Sequence, residues 1–234
     1  MGLKTALISF YNLDETSGNR ADAHNGNTLT DYNTCLYGVG KKGYAAYMVS
    51  AQFELLYHVD SADFSFGDES WSITGWIYLG VNNTIQGLIT KGVTSADTAE
   101  YGLYMNPSHL VFLMGKGGTT GLVYLIASTF GPLSTSIWYF VHFGYDAVSN
   151  KMRISVNNGA HDEVAHTWGC RDGAGNFCLG RFDDGYYADI YIDLVGLWRR
   201  HLTAPELTWL YNGGAGRQYS DFPSGGNTQG LCIF

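Results

Sequence analysis

Within the 234 residues, the side chains best suited to gripping a ligand gather in one late run: Trp168, then Asp183, Asp184, Tyr186 and Tyr187. Sugars are held through their C–H faces on aromatic rings and through their hydroxyls on carboxylates and amides, and binding residues favour loops on a rigid scaffold. These five residues supply both kinds of contact and flank expected loops, so they form a candidate carbohydrate-binding patch. A structural reading stands beside it. Asp183, Asp184 and Gly185 also read as a plain turn, and the aromatics as core filler.

Catalytic constellations are harder to find. Glycoside hydrolysis needs two carboxylates on one face, which an E-x-D-x-x-E run on a strand provides, and this chain has no such run. Glu54, Glu69, Glu100 and Glu163 are isolated, and Asp162 and Glu163, being adjacent, point to opposite faces of an extended chain. His161 to His166 misses the H-E-x-x-H spacing of a zinc helix and reads as surface histidines between strands. In the run from Gly115 to Gly121 no Ser or Thr follows Lys116 directly and no helix follows, so it reads as a strand connection rather than a phosphate loop. There is no G-x-S-x-G elbow. A non-enzyme is expected. Cys35, Cys170, Cys178 and Cys232 lack C-x-x-C spacing, which argues against a zinc cluster. Cys170 and Cys178 flank an expected hairpin loop, so either one disulfide crosses it or all four thiols are free.

The elements that position these residues read as strands punctuated by glycine turns. About a dozen apolar segments recur at roughly eight to twelve residues, the spacing of a sandwich. The longest, Ser70 to Leu79, alternates Trp71, Ile73, Gly75, Ile77 and Leu79 on one face with Ser72, Thr74, Trp76 and Tyr78 on the other. Near the end, Ile190, Ile192, Leu194, Gly196 and Trp198 are expected on one face, and Tyr191, Asp193, Val195 and Leu197 on the opposite one. There the period changes. Thr203 with Glu206 forms a capping box, Pro205 suits a first turn, and Asn212, Gly213 and Gly214 stop a helix of about two turns. The pattern predicts an all-β fold, a two-sheet antiparallel sandwich of jelly-roll type with one short C-terminal helix. A single domain is expected over 1–219, followed by a tail over 220–234 whose apolar tip, Leu231 to Phe234, is expected to dock on the domain or on a neighbouring subunit.

Both ends of this arrangement resemble a known family. Asp193, Val195, Gly196, Leu197, Trp198, Arg199-Arg200, Leu202-Thr203, Glu206 and Leu210-Tyr211-Asn212-Gly213-Gly214 resemble the closing signature of the laminin-G-like, concanavalin A-like lectin and glucanase jelly rolls. The opening, Leu13 to Gly18 with Arg20, Asp22, Gly26-Asn27 and Leu29, is similar to that family's first strand and loop. Gly38, Gly40, Gly43 with Ala45-Ala46-Tyr47, then Asp63 to Gly67 with Trp71, Ile73 and Trp76, and later Trp138, His142, Tyr145-Asp146 and Val156 to Gly159 continue the likeness. The scaffold hosts lectins, adhesion modules, virion components and glycanases, so it implies a fold more sharply than a function. The resemblance implies a structural calcium ion, with Asp22 and Asp193 as first ligands. It also implies a surface-displayed binding or structural module, a phage capsid decoration or tail component, with a glycan or other surface proteins as partners and homo-oligomers or capsid contacts in view. A soluble lectin-like module without an assembly role is the alternative.

Composition bounds the partners. A net charge of −8 with pI near 5.2 leaves no clustered Lys and Arg to neutralise phosphates, which excludes nucleic acid and disfavours acidic membranes. No run reaches the eighteen or so apolar residues of a membrane span, and the opening MGLKTALISFYNLDE reads as a first strand rather than a leader, so synthesis in a cytoplasm and later display on a virion are expected.

Overall fold

The computed structural model describes residues 2–92, 98–107, 109–182 and 185–223. In chain order the strands are β1 (Leu7–Tyr11), β2 (Thr30–Tyr32), β3 (Leu36–Val39), β4 (Tyr44–Met48), β5 (Leu55–His58), β6 (Trp71–Leu79), β7 (Gln86–Gly92), β8 (Ala99–Asn106) and β9 (His109–Gly115). There follow β10 (Leu122–Ile126), β11 (Trp138–Asp146), β12 (Lys151–Val156), β13 (Asp162–Ala165), β14 (Phe177–Leu179), β15 (Arg181–Phe182), β16 (Tyr186–Tyr187) and β17 (Ile190–Trp198), then the helix α1 (Ala204–Tyr211). An eight-stranded antiparallel sheet is ordered β13-β12-β11-β6-β17-β4-β3, with β1 beside the second half of β17. The seven-stranded sheet is ordered β10-β9-β8-β7-β14-β5-β2, and β15 pairs with β16. The expected all-β sandwich with one C-terminal helix is what the chain forms.

The sheets meet through alternate residues. Trp71, Ile73, Ile77 and Leu79 of β6 pack against Leu103, Met105, Phe112 and Met114 of the other sheet. The ring of Trp71 lies 4.8 Å from that of Tyr101 and 5.7 Å from that of Phe112, so aromatics bridge the layers. Each such fully buried side chain contributes roughly 1.5–3 kcal/mol. A second apolar cluster lies outside the sandwich. Trp76, Phe140, Leu194 and Trp198 on the outer face of the eight-stranded sheet are covered by Leu207 and Leu210 of α1, by Phe10, and by Phe222. The expected capping box closes α1, with Glu206 accepting from the Thr203 amide at 2.9 Å, and Asn212 ends the helix at φ 51°. Phe222 thus packs on the sheet, beyond the expected boundary at 219, while 224–234 and the expected docking tip lie outside the described residues.

Several expectations are corrected. In β17 a bulge between Asp193 and Gly196, with Leu194 at φ 50°, reverses the alternation part-way. Ile190 and Ile192 face the inter-sheet core as expected, but Val195 and Leu197 join them, while Leu194 and Trp198 turn to the outer cluster. The opening polar loop contains the short strand β2. Cys170 and Cys178 do not face across a hairpin. Cys170 bridges to Lys116, Cys178 is flanked by Thr90 and Tyr57, and both are free thiols, as is Cys35. Burial pushes the Cys178 thiol up to about 11. The histidines expected at the surface are not both there, because His166 is fully buried and its Nε2–H donates to Gly169 O at 2.9 Å.

Candidate functional site

The outer face of the eight-stranded sheet carries one aromatic residue from each of four neighbouring strands in line. Pairing places Trp138 of β11 opposite Tyr78 of β6, Tyr78 opposite Tyr191 of β17, and Tyr191 opposite Tyr47 of β4. Directly opposed residues share a face, so four aromatic side chains form a row across four strands. At ~4.8 Å per strand it spans about 14 Å. The rings touch in sequence: Trp138 to Tyr78 at 5.5 Å, Tyr78 edge-on to Tyr191 at 5.4 Å, and Tyr191 stacked on Tyr47 at 4.2 Å and 10°. Gly38 on β3 makes the last stack possible, because a Cβ there would run into the Tyr191 ring. Val39, 83% exposed, completes a cleft of about 380 Å³ with Tyr78, Trp138 and Tyr191. All four aromatics are half-buried, with ring edges reaching solvent. This row was not among the sequence candidates. Its members alternate correctly in their own strands, but their alignment depends on β6 lying between β11 and β17.

Behind the row the same face is closed. Trp76 precedes Tyr78 by two positions on β6, and its ring stacks on Tyr211 of α1 at 5.7 Å. Asp193, two positions after Tyr191, is fully buried; one carboxylate oxygen accepts from the Lys42 amide at 3.0 Å and the other has no partner. Burial, only partly offset by backbone hydrogen bonds, pushes its carboxyl up to about 8. Beyond α1 lie His142, His161 and His201. His142 is fully buried between Ser72 Oγ at 3.2 Å and His161 Nε2 at 3.1 Å. Burial holds all three below the usual histidine range, His201 at about 4, with Arg153 adding to the depression.

At the end of the sandwich next to the row, loops converge on a second cleft of about 600 Å³, lined among others by Ser50, Phe53, Asn83, Thr84, Tyr186 and Tyr187. Tyr187 meets the Phe53 ring edge-on at 5.3 Å. Ser50 donates to Asp189 through its amide at 3.1 Å and its hydroxyl at 2.7 Å, which ties this tip to the start of β17.

The structure therefore divides the expected patch. Tyr186, 42% exposed, and Tyr187 share the tip cleft. Asp183 and Asp184 lie outside the described residues. Trp168 is 45% exposed, but it stands under the Lys116 ammonium at 4.1 Å, beside the end of β9 marked by Gly115. The tip cleft adjoins the opposite end of the same sheet, where Ile85 precedes β7 and Pro107 follows β8. Trp168 and the tyrosines are thus at opposite ends, a seven-residue strand of ~23 Å apart.

A family model for the concanavalin A-like lectin/glucanases superfamily matches residues 57–208, more than half of the chain. The chain belongs to this superfamily. Among solved structures it is similar to the binding domain of Paraclostridial Mosquitocidal Protein 1, with a TM-score of 0.74 and 14% identity over 91% of this chain and 53% of that one. It is also similar to Trypanosoma rangeli sialidase in complex with sialic acid, at TM-score 0.61 and 11% identity over 91% of this chain and 34% of that one. A third is domain 4 of AbnA, a GH43 extracellular arabinanase from Geobacillus stearothermophilus, in complex with arabinotriose, at TM-score 0.59 and 16% identity over 86% of this chain and 96% of that one. The chain spans about half the length of the first of these and a third of the second. At such identities the likeness establishes the fold. No curated protein matches the sequence.

In this superfamily member the two acids assigned to calcium have separate partners. Asp22 accepts from the amides of Phe10 at 3.0 Å, His24 at 2.9 Å and Asn27 at 3.3 Å, so it pins the opening loop to β1. Asp193 takes the Lys42 amide. Among the described residues no group of three or more His, Cys, Asp or Glu is placed to hold a metal ion.

Proposed function

We propose that this chain is a non-catalytic carbohydrate-binding module whose sugar contacts are made by the Trp138, Tyr78, Tyr191 and Tyr47 row. The observation that carries the reading is the row itself: four in-line, half-exposed aromatics beside the part of the face that α1 and Phe222 cover. Ring edges and the Val39 cleft offer C–H contacts, and the phenol hydroxyls offer hydrogen bonds to sugar hydroxyls. The non-catalytic part is supported by where the carboxylates go. Glu100, fully buried and raised to about 7 by burial, and Asp60 both close on the Lys91 ammonium, at 2.5 and 2.6 Å. Neither carboxylate is free to act on a bound sugar. Similarity to structures described as binding domains and to an arabinanase domain in complex with arabinotriose supports the same reading.

The setting we propose is a displayed surface, with a virion favoured, on the resemblance to free-standing jelly rolls of phage capsids and tails. A glycan array run with the intact chain and with Trp138→Ala tests the binding claim; retained binding in the variant defeats it. Light scattering separates the settings: a symmetric assembly supports the particle component, and a lone monomer with tight sugar affinity supports a soluble lectin.

A further inference from the structure

Phe53 is an exposed aromatic at the left-handed cap of the turn Ser50–Gln52. It is 58% exposed, so its ring buries little, and it adopts φ 56° and ψ 36°, the left-handed region that costs a residue with a Cβ about 1–2 kcal/mol. Neighbours hold it there. Its amide donates to Ser50 O at 3.0 Å, and the Asn33 side-chain amide donates to Gln52 O at 3.1 Å and to Phe53 O at 3.2 Å. The ring projects into the tip cleft beside Tyr187, with Ser50, Asn83 and Thr84 supplying hydroxyls and an amide. That is the mixture of one apolar face and several polar edges by which sugars are held.

The tip is tied to the row through the chain. Tyr47 precedes Ser50 by three residues, Ser50 is bonded to Asp189, and Asp189 precedes Tyr191 by two. We infer that Phe53 and Tyr187 form a second sugar subsite that extends the aromatic row over the end of the sandwich, so that the ligand is an extended oligosaccharide rather than a single terminal sugar. This rests on the row being a sugar site. A row of about 14 Å accommodates a short oligosaccharide, and additional units reach Phe53 only in longer chains.

The test is calorimetry with ladders of two to six units from β-1,4-glucan, β-1,4-xylan, α-1,5-arabinan and β-1,4-mannan, using the intact chain, Phe53→Gly and Trp138→Ala. Glycine suits the left-handed region, so Phe53→Gly is expected to melt no lower than the parent, which separates lost contact from lost fold. For the ladder that binds, affinity is expected to tighten at least tenfold from the shortest length that fills the row to the hexamer. Phe53→Gly should remove that gain and leave that shortest length unchanged, whereas Trp138→Ala should weaken every length. A length gain that survives Phe53→Gly, or no length gain, overturns the extended site while the row stands. Absence of binding by any ladder overturns both.

Discussion

Trp76 and Tyr78 stand two residues apart on β6 and face the same way, yet one is sealed and the other open. The sealed half of this sheet face lies beneath α1, Phe10 and Phe222, and there the aromatics act as core. The open half begins where α1 ends its coverage, at Tyr78, and there side chains of the same chemistry reach solvent in register. Residue type does not separate the halves. Cover does, and cover is set by a helix whose capping box fixes where it starts.

The comparison is sharpest in stability. Trp198→Ala empties a fully buried site and is expected to cost roughly 3–5 kcal/mol in urea unfolding. Trp138→Ala, on the open half, is expected to cost about 1 kcal/mol. Equal losses would mean that the row is core as well. In affinity the order reverses. Trp138→Ala should weaken glycan binding by at least tenfold, about 1.4 kcal/mol, and Trp168→Ala at the other end should leave it unchanged. A loss with Trp168→Ala would restore the patch expected from sequence and undo the row.

Acid should act through the buried histidines, including His166 beside Trp168. His142, His161 and His201 are held neutral by burial, so below about pH 6.5 the unfolded chain binds protons that the folded one refuses. Stability is therefore expected to fall as pH drops from about 6.5 toward 4, read as a shrinking urea midpoint. The row is built of tyrosine and tryptophan, without a carboxylate or histidine, so glycan affinity should stay flat wherever the protein is folded. An effect of opposite sign belongs to Asp193. Its folded carboxyl keeps a proton up to about pH 8, while the unfolded one loses it near 3.8, so this contribution is complete below 3.8 and is lost as pH rises through 8. Asp193→Asn is expected to unfold at higher urea than the parent at pH 9, with the difference closing at pH 4.

Much of the fold was legible because period and capping are local. The alternation of β6 and the Thr203–Glu206 box need no partner to be read. The bulge at Leu194 was not, since nothing in Asp193-Leu194-Val195 marks a leucine for φ 50°. That single irregularity sends Trp198 outward and so builds the sealed half. Tyr186 and Tyr187 stand out in the sequence because aromatics beside a turn carry a local signal. Tyr47, Tyr78, Trp138 and Tyr191 were missed because their line-up is a property of strand order, which β6 between β11 and β17 illustrates.

The most direct test follows the indole N–H signals of the six tryptophans during titration with whichever oligosaccharide binds on the array. The open-half account expects the Trp138 signal to shift with a saturable curve while Trp76 and Trp198 hold still. A saturable shift at Trp168 with Trp138 unmoved would contradict it.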